Sequence, residues 1–307
     1  MMKIIKGVAE MQKVAGVLKR RGKTIGFVPT MGALHEGHLS LIQQARKENK
    51  IVVVSIFVNP IQFGPQEDFK DYPRPFKQDV LLCEKEKVDF LFIPQGRQMY
   101  PQGFKTMVEV SNLGNTLCGV FRPAHFRGVT TVVAKLFNIV GPGIAYFGQK
   151  DVQQAVIIQR MAIDLNFGLK IKVMPTVREK GGLALSSRNK YLNSREKKGS
   201  MVLFRSLNLA RDLIGEGECE CREIIRRMKA LINSQGNAQV DYVDIVDPEN
   251  LKPLEKIQKK CLIALAVRFG KTRLIDNAVI KKTRGKQGDG SHFLKGKLPY
   301  KKMRTVP

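Results

Sequence analysis

Long apolar runs are missing from this 307-residue chain, and acidic residues are scarce, 27 Asp and Glu standing against 53 Lys and Arg. The longest apolar stretch, residues 51–58, is far too short to cross a bilayer. The sequence starts Met-Met-Lys-Ile-Ile-Lys, with charges where a secretory leader needs its apolar segment. Export and membrane insertion are therefore not expected. Cysteine is sparse as well: Cys83, Cys118, Cys219, Cys221 and Cys261 are odd in number and lack framework spacing. That usage fits a reducing cytoplasm rather than a disulfide scaffold. Cys219-Glu-Cys221 has neither Cys-x-x-Cys spacing nor a nearby His to complete a tetrahedral set, so no resident metal is expected. Internal repeats are absent. So are the phosphate-loop patterns G-x-x-x-x-G-K-[ST] and G-x-G-x-x-G.

What is present describes a folded protein with an appetite for anions. A hydrophobic fraction of 43% with 26% charged residues argues against wholesale disorder. The length suits one large domain or two modest ones. Residues 281–307 hold nine Lys and Arg and one acid, about +8 of the formal +26, so the body keeps about +18. Such a balance attracts nucleic acid, acidic lipid surfaces, or phosphorylated and carboxylate substrates, and charge alone does not choose among them.

Hydrophobic periodicity supplies the architecture. Val8, Met11, Val14 and Leu18 recur at helical spacing. Residues 24–29 read as a short buried strand, followed by a Gly-containing loop and a helix through Leu39, Ile42 and Ala45. Residues 51–58 are rich in β-branched side chains and stop at Asn59-Pro60, the pattern of a buried parallel strand. Further strands are expected over residues 88–93, 143–147 and 169–175, with helices near 75–86, 128–140 and 151–165. This alternation predicts an α/β fold, a Rossmann-like parallel sheet with helices on both faces, over residues 1–176. A smaller α+β domain is expected over 177–280, with helices at 194–214 and 220–232 and strands at 239–246 and 261–269. Residues 281–307, with Gly285, Gly288, Gly290 and Gly296 among lysines, form a basic tail expected to be mobile and to bind polyanions nonspecifically.

The chemistry concentrates in Pro29-Thr-Met-Gly-Ala-Leu-His-Glu-Gly-His38, between the first long strand and its helix. At the carboxyl edge of a parallel sheet this junction is where ligands bind. Gly32 and Gly37 let backbone approach a ligand, and the helix start offers unpaired N–H groups. His35 and His38, three apart, are able to share one side and donate to one anion. Polar loop residues and metal-site H-x-x-H pairs share this spacing, so position and composition favour phosphate binding without settling it.

H-x-G-H after the first strand resembles the nucleotidyltransferase superfamily, and the longer wording from Phe27 to His38 resembles the pantoate–β-alanine ligase family within it. The likeness continues through Ser55-Ile-Phe-Val-Asn-Pro-Ile-Gln-Phe-Gly64, Tyr72-Pro-Arg74, Arg122-Pro-Ala-His-Phe126 and Phe147-Gly-Gln-Lys-Asp-Val-Gln-Gln154. It extends to Gly182-Leu-Ala-Leu-Ser-Ser-Arg-Asn189, Val240-Asp-Tyr-Val-Asp-Ile-Val246 and Thr272-Arg-Leu-Ile-Asp-Asn277, covering about residues 3–278. The resemblance implies ATP-dependent condensation of pantoate with β-alanine through a pantoyl-adenylate, with Mg2+ accompanying ATP, in a cytoplasmic homodimer. It implies an ATP site formed by Met31, Gly32, Ala33, Leu34, His35, Glu36, Gly37 and His38, with His38 catalytic. Gly148, Gln149, Lys150, Asp151, Val177, Leu185, Ser186, Ser187 and Arg188 complete that site. Gln62 and Gln154 are the implied pantoate ligands, and Gln62 also the β-alanine ligand.

Bland roles remain for several of these. Asp151 suits an N-cap as well as a ligand contact. The Ser-Ser-Arg-Asn run suits an exposed turn, and Gln62 a turn closure after Pro60. Cys118 and Gln149 stand where many relatives have Glu, Ala124 where Gly is frequent, Gly181 where Asp is usual, and Lys271 where a small or hydroxyl residue is. Two competing functions stay open at this point: another H-x-G-H nucleotidyltransferase, and a nucleic-acid-binding protein acting through its charge.

Overall fold

Strands and helices alternate through most of the chain in the computed structural model, which describes residues 1–65 and 67–282. The first strands are β1 (Lys3–Ile5), β2 (Ile25–Thr30), β3 (Ile51–Ile56), β4 (Phe90–Phe92), β5 (Ile144–Gly148) and β6 (Lys170–Met174). Between them run α1 (Val8–Arg20), α2 (Glu36–Glu48), α3 (Phe76–Lys85), the short α4 (Gly96–Met99) and α5 (Cys118–Phe121), α6 (His125–Val140) and α7 (Val152–Asp164). The six strands form one sheet in the order β1-β4-β3-β2-β5-β6, parallel at every pairing. Alternation of side chains across the pleat builds two cores. Phe27, Val53, Ala145 and Phe147 face the layer of α1, α6 and α7, whereas Val28, Val52, Val54 and Tyr146 face α2 and α3.

Chain order runs outward from β2 in both directions, through β3 and β4 on one side and β5 and β6 on the other. The reversal of order between β2 and β5 makes their carboxyl ends, Thr30 and Gly148, flank the crevice where open α/β sheets take ligands.

The remainder comprises α8 (Ser194–Ser200), α9 (Val202–Gly215), α10 (Cys221–Asn233) and the strands β7 (Ala238–Val246), β8 (Lys260–Phe269) and β9 (Thr272–Lys281). The strands form an antiparallel sheet, β7-β8-β9, against which α9 and α10 pack Leu203, Leu207, Ile224 and Met228. The helix expected over 194–214 is two helices, broken at Met201. β1 and β9 were not anticipated as strands. β1 is three residues long, too short for a periodic signal, and is held by its pairing with β4. β9 takes its register from β8 through a tight hairpin with Gly270 at φ +56°. The basic stretch beyond Lys282 lies outside the described residues.

Candidate active site

The loop after β2 is shaped by contacts that a linear reading of the sequence does not reveal. Thr30 Oγ1 donates to Ser55 O at 2.8 Å and accepts from Gly32 N at 3.1 Å. Gly32 and Ala33 then turn the chain with φ +82° and +51°. Asp79, in the first turn of α3, accepts from Ala33 N at 2.9 Å and from Leu34 N at 2.8 Å. Its carboxyl is held above its usual range by burial, against the lowering effect of those two N–H donors. His35 is the N-cap of α2 and its Nδ1 accepts from Gly37 N at 3.1 Å, while His38 Nδ1 faces the N–H of His35 at 3.4 Å.

These contacts define the protonation state of both rings. A nitrogen that accepts from an amide carries no proton, so each neutral ring bears its proton on Nε2. Desolvation, then the charge of Lys150, pulls His35 down to about 4. Desolvation, then His35 and Lys150, pulls His38 down to about 3. Near neutral pH the cleft therefore offers two Nε2–H donors without imidazolium charge, their rings 4.2 Å apart.

A cavity of about 240 Å³ opens beside them. It is lined by Met31, His35, Gly37, His38, Gln62, Gly148, Lys150, Asp151, Gln154, Val177, Leu185, Ser186, Ser187 and Arg188, drawing together most of the residues singled out in the sequence. Gly32, Ala33 and Leu34 lie buried behind it, Glu36 is exposed on the first turn of α2, and Gln149 turns aside to Asn277. A larger space of about 920 Å³ continues toward the antiparallel sheet and shares Arg122, His125, Lys150, Asp151, Gln154, Ser186 and Arg188 with the first. The two form one cleft, and the smaller lobe is the one that holds the histidine loop.

Lys150 sits in the turn after β5, and the second sheet fixes that turn: Asn277 Nδ2 donates to the carbonyls of Gln149 and Lys150, each at 2.9 Å. Asn277 is steadied by Asp276, whose Oδ1 accepts its N–H and whose carboxylate takes a two-pronged ion pair from Arg178. Asp151 stands at the N-cap of α7 but makes no capping bond, and its carboxylate lies 3.8 Å from Lys150 Nζ. Arg188 pairs in two-pronged fashion with Asp68, at 3.0 and 2.7 Å, so its guanidinium enters the cleft already partnered. Ser186 Oγ accepts from Arg188 N, which makes the Ser-Ser-Arg-Asn run a 3-10 turn whose hydroxyl side faces the cavity.

The adjacent glutamines divide their labour. Gln153 is buried and structural, accepting from Cys118 N and donating to Leu113 O and Thr116 O. Gln154 lines both lobes. Gln62 is set by Asn59, whose Nδ2 donates to both Gln62 Oε1 and Gly128 O, and Asn59 in turn accepts from Tyr100. Arg122, paired with Glu67, donates to His125 Nε2 at 3.0 Å, leaving His125 Nδ1–H to donate to Gln62 O at 2.8 Å. Desolvation, then Arg122, keeps His125 neutral, with a pKa lowered to about 4.

The supporting residues Asp79, Asp68, Glu67 and His125 were not singled out as site residues in the sequence, because each acts through a partner 45–120 positions away. His125 carried a signal, standing in the Arg122–Phe126 motif. Four of the departures can be placed in the structure. Ala124 adopts φ +64°, a conformation natural to Gly. Cys118 lies 3.6 Å from Arg273 Nη1, and Lys271 lines the larger lobe from the β8–β9 hairpin. A side chain at Gly181 would meet the flexible end of Met201 at 2.6 Å.

A doubly wound parallel sheet whose crevice gathers two neutral histidines, a lysine and two amides belongs to the α/β enzymes that bind anionic substrates. Comparison with known proteins narrows this. The family model described as pantoate-beta-alanine ligase matches residues 3–279, and the chain belongs to that family. It is 51% identical over 280 residues to the pantothenate synthetase of Caldicellulosiruptor saccharolyticus, covering 91% of this chain and 100% of that one. The crystal structure of pantothenate synthetase from Thermus thermophilus superposes with a TM-score of 0.86 at 45% identity, covering 90% and 99% of the two chains. The pantoate–β-alanine ligase from Francisella tularensis, complexed with beta-gamma ATP and β-alanine, gives a TM-score of 0.76 at 37% identity, covering 91% and 98%.

Proposed function

We propose that this chain condenses pantoate with β-alanine at the expense of ATP, releasing AMP and pyrophosphate, through a pantoyl-adenylate formed in the smaller lobe of the cleft. A carboxylate does not react with an amine at neutral pH, because its leaving group would be oxide. Attack of a pantoate carboxylate oxygen on the α-phosphorus expels pyrophosphate and leaves a mixed anhydride. The β-alanine amine then attacks the carbonyl carbon, and AMP departs with the pantoate oxygen that had joined it to phosphorus.

The observation that carries this reading is the pair of neutral Nε2–H donors beside Lys150 in a cavity that also presents Gln62 and Gln154. Negative charge growing on the α-phosphate oxygens requires fixed donors, supplied here by His38, His35 and Lys150. The attacking carboxylate has no proton to lose, so His38 acts as a donor rather than as a base. Amides suit the pantoate side, since Gln62 and Gln154 orient the nucleophile without a cation that would blunt it. Ser186, Ser187, Val177 and Leu185 close the ATP side, and Arg188 keeps its charge oriented through Asp68.

Magnesium would travel with the triphosphate. Among the described residues no group of three or more His, Cys, Asp or Glu is placed to hold a metal ion. Residues 1–176 form the nucleotide- and pantoate-binding domain in this reading, and 177–280 the domain that closes over ATP. A homodimer, a cytoplasmic location and nonspecific polyanion binding by the basic residues from 281 onward complete the proposal. No described helix is long and apolar enough to cross a membrane.

An omission assay tests the assignment. Pyrophosphate release requires pantoate, and AMP accumulates through repeated turnovers only when β-alanine is added. Release that ignores pantoate, or that prefers a phosphorylated sugar or nucleotide acceptor, refutes it.

A further inference from the structure

We propose that Asp79 is the positioning residue of the histidine loop: by holding the backbone of Ala33 and Leu34, its carboxylate sets where the Nε2–H groups of His35 and His38 point. The inference rests on the adenylation reading of the cleft given above.

Asp79 is 2% exposed and, among the described residues, has no ion-pair partner, unlike Asp68, Glu67 and Asp276. Burying a carboxylate without a counter-cation is costly, so its polar partners define what it is kept for. Those partners are two backbone N–H groups of the loop, one on each oxygen. Both oxygens are thereby used and the carboxylate cannot rotate without losing a bond. Leu34 also packs in the core with Leu39, Ile42 and Tyr146, and Met31 Sδ accepts from Gln62 Nε2 at 3.0 Å, but neither contact fixes the peptide N–H groups of residues 33 and 34. The turn passes through two left-handed residues, Gly32 and Ala33, and its other backbone tie is Gly32 N to Thr30 Oγ1.

One residue past Leu34 comes His35, which caps α2 and offers the N–H that His38 Nδ1 faces. That contact is already long at 3.4 Å. A small rotation of residues 33–34 would break it and release His38 to its other tautomer, with Nε2 unprotonated and no donor aimed at phosphate. Asp79 touches no substrate in this arrangement, since it lies behind the loop and does not line the cavity.

Asp79→Asn tests the assignment. The amide has the same shape, keeps one accepting oxygen and turns an NH2 group toward the other backbone N–H. Expected are a cooperative thermal melt, pantoate affinity within about twofold of the parent, and a fall of about tenfold or more in the rate of pantoate-dependent pyrophosphate release. Nitrogen-15 NMR should show the Nδ1–H tautomer of His38 populated. Asp79→Ala with added formate gives the second arm, in which formate restores the rate and the tautomer. An unchanged rate with an unchanged His38 tautomer overturns the proposal. So does loss of folded protein in both variants, which would make Asp79 a structural plug. Parent protein that releases no pyrophosphate with pantoate would instead defeat the adenylation reading, while the His38 tautomer would still report on Asp79.

Discussion

Replacing Gly128 by Ala probes how tightly the Gln62 side of the cleft is tied to α6. A Cβ there would fall 2.5 Å from the carbonyl oxygen of Ile61 and 2.7 Å from Gln62 Cα. Both are backbone atoms, which cannot swing aside as a side-chain tip does. Reaching even the lower limit of ordinary contact, 3.4 Å, requires α6 and the Gln62 turn to part by about 0.9 Å. Ala is the better helix former by about 1 kcal/mol, but overpacking against backbone costs about 3 kcal/mol, for a net loss of about 2 kcal/mol. The same movement strains the fork in which Asn59 Nδ2 serves Gln62 Oε1 and Gly128 O. Misplacing a substrate-orienting group by such a distance costs on the order of tenfold to a hundredfold, so the pantoate requirement should rise while ATP binding persists. Urea unfolding together with pantoate titration measures both effects. Gly16→Ala in α1 is the contrast: its Cβ would meet Arg20 Nη1 alone, at an ordinary 3.5 Å, and should stabilise by about 0.5–1 kcal/mol. A Gly128→Ala protein as stable as the parent, with an unaltered pantoate requirement, would mean that the Gln62 turn is not held by its close approach to α6.

Ala124→Gly should raise stability by about 1 kcal/mol in a denaturant titration, because it relieves a left-handed Ala at the start of α6. His38→Ala should slow adenylation about a hundredfold with modest change in pantoate affinity, whereas Gln154→Ala should chiefly raise the pantoate requirement; identical kinetic profiles for the two would contradict the division of roles. Stability should fall with acid. His35, His38 and His125 stay neutral in the fold down to about 4, 3 and 4, while their unfolded counterparts take up protons below 6.5. Their contribution is therefore whole above pH 6.5 and lost as pH falls toward 4, at about 2 kcal/mol per histidine by pH 5. A denaturation midpoint that rises between pH 7 and pH 5 would show that these rings are not held neutral.

The parallel sheet was legible because its strands are buried on both faces and read as runs of β-branched residues, as in Ile51–Ile56. The histidine loop was legible because its motif lies within ten consecutive residues. What stayed hidden acts across distance. Nothing near Asp79 marks it as the partner of Ala33 and Leu34, and nothing near Asn277 says that its amide holds the turn of Lys150. Gln153 and Gln154 are adjacent and chemically alike, and only packing separates the one tied to Leu113 and Thr116 from the one that reaches the histidine lobe of the cleft. β1 escaped notice because three residues carry no period, and the break at Met201 because both flanking segments are helical in pattern.

Oxygen tracing tests directly the proposed attack of the pantoate carboxylate at the α-phosphorus. Pantoate labelled with oxygen-18 in both carboxylate oxygens is turned over with ATP and β-alanine, and the products are weighed by mass spectrometry. Attack by that carboxylate puts one labelled oxygen in the phosphate of AMP, keeps one in the new amide and leaves none in pyrophosphate. Unlabelled AMP, or label appearing in pyrophosphate or inorganic phosphate, would contradict it.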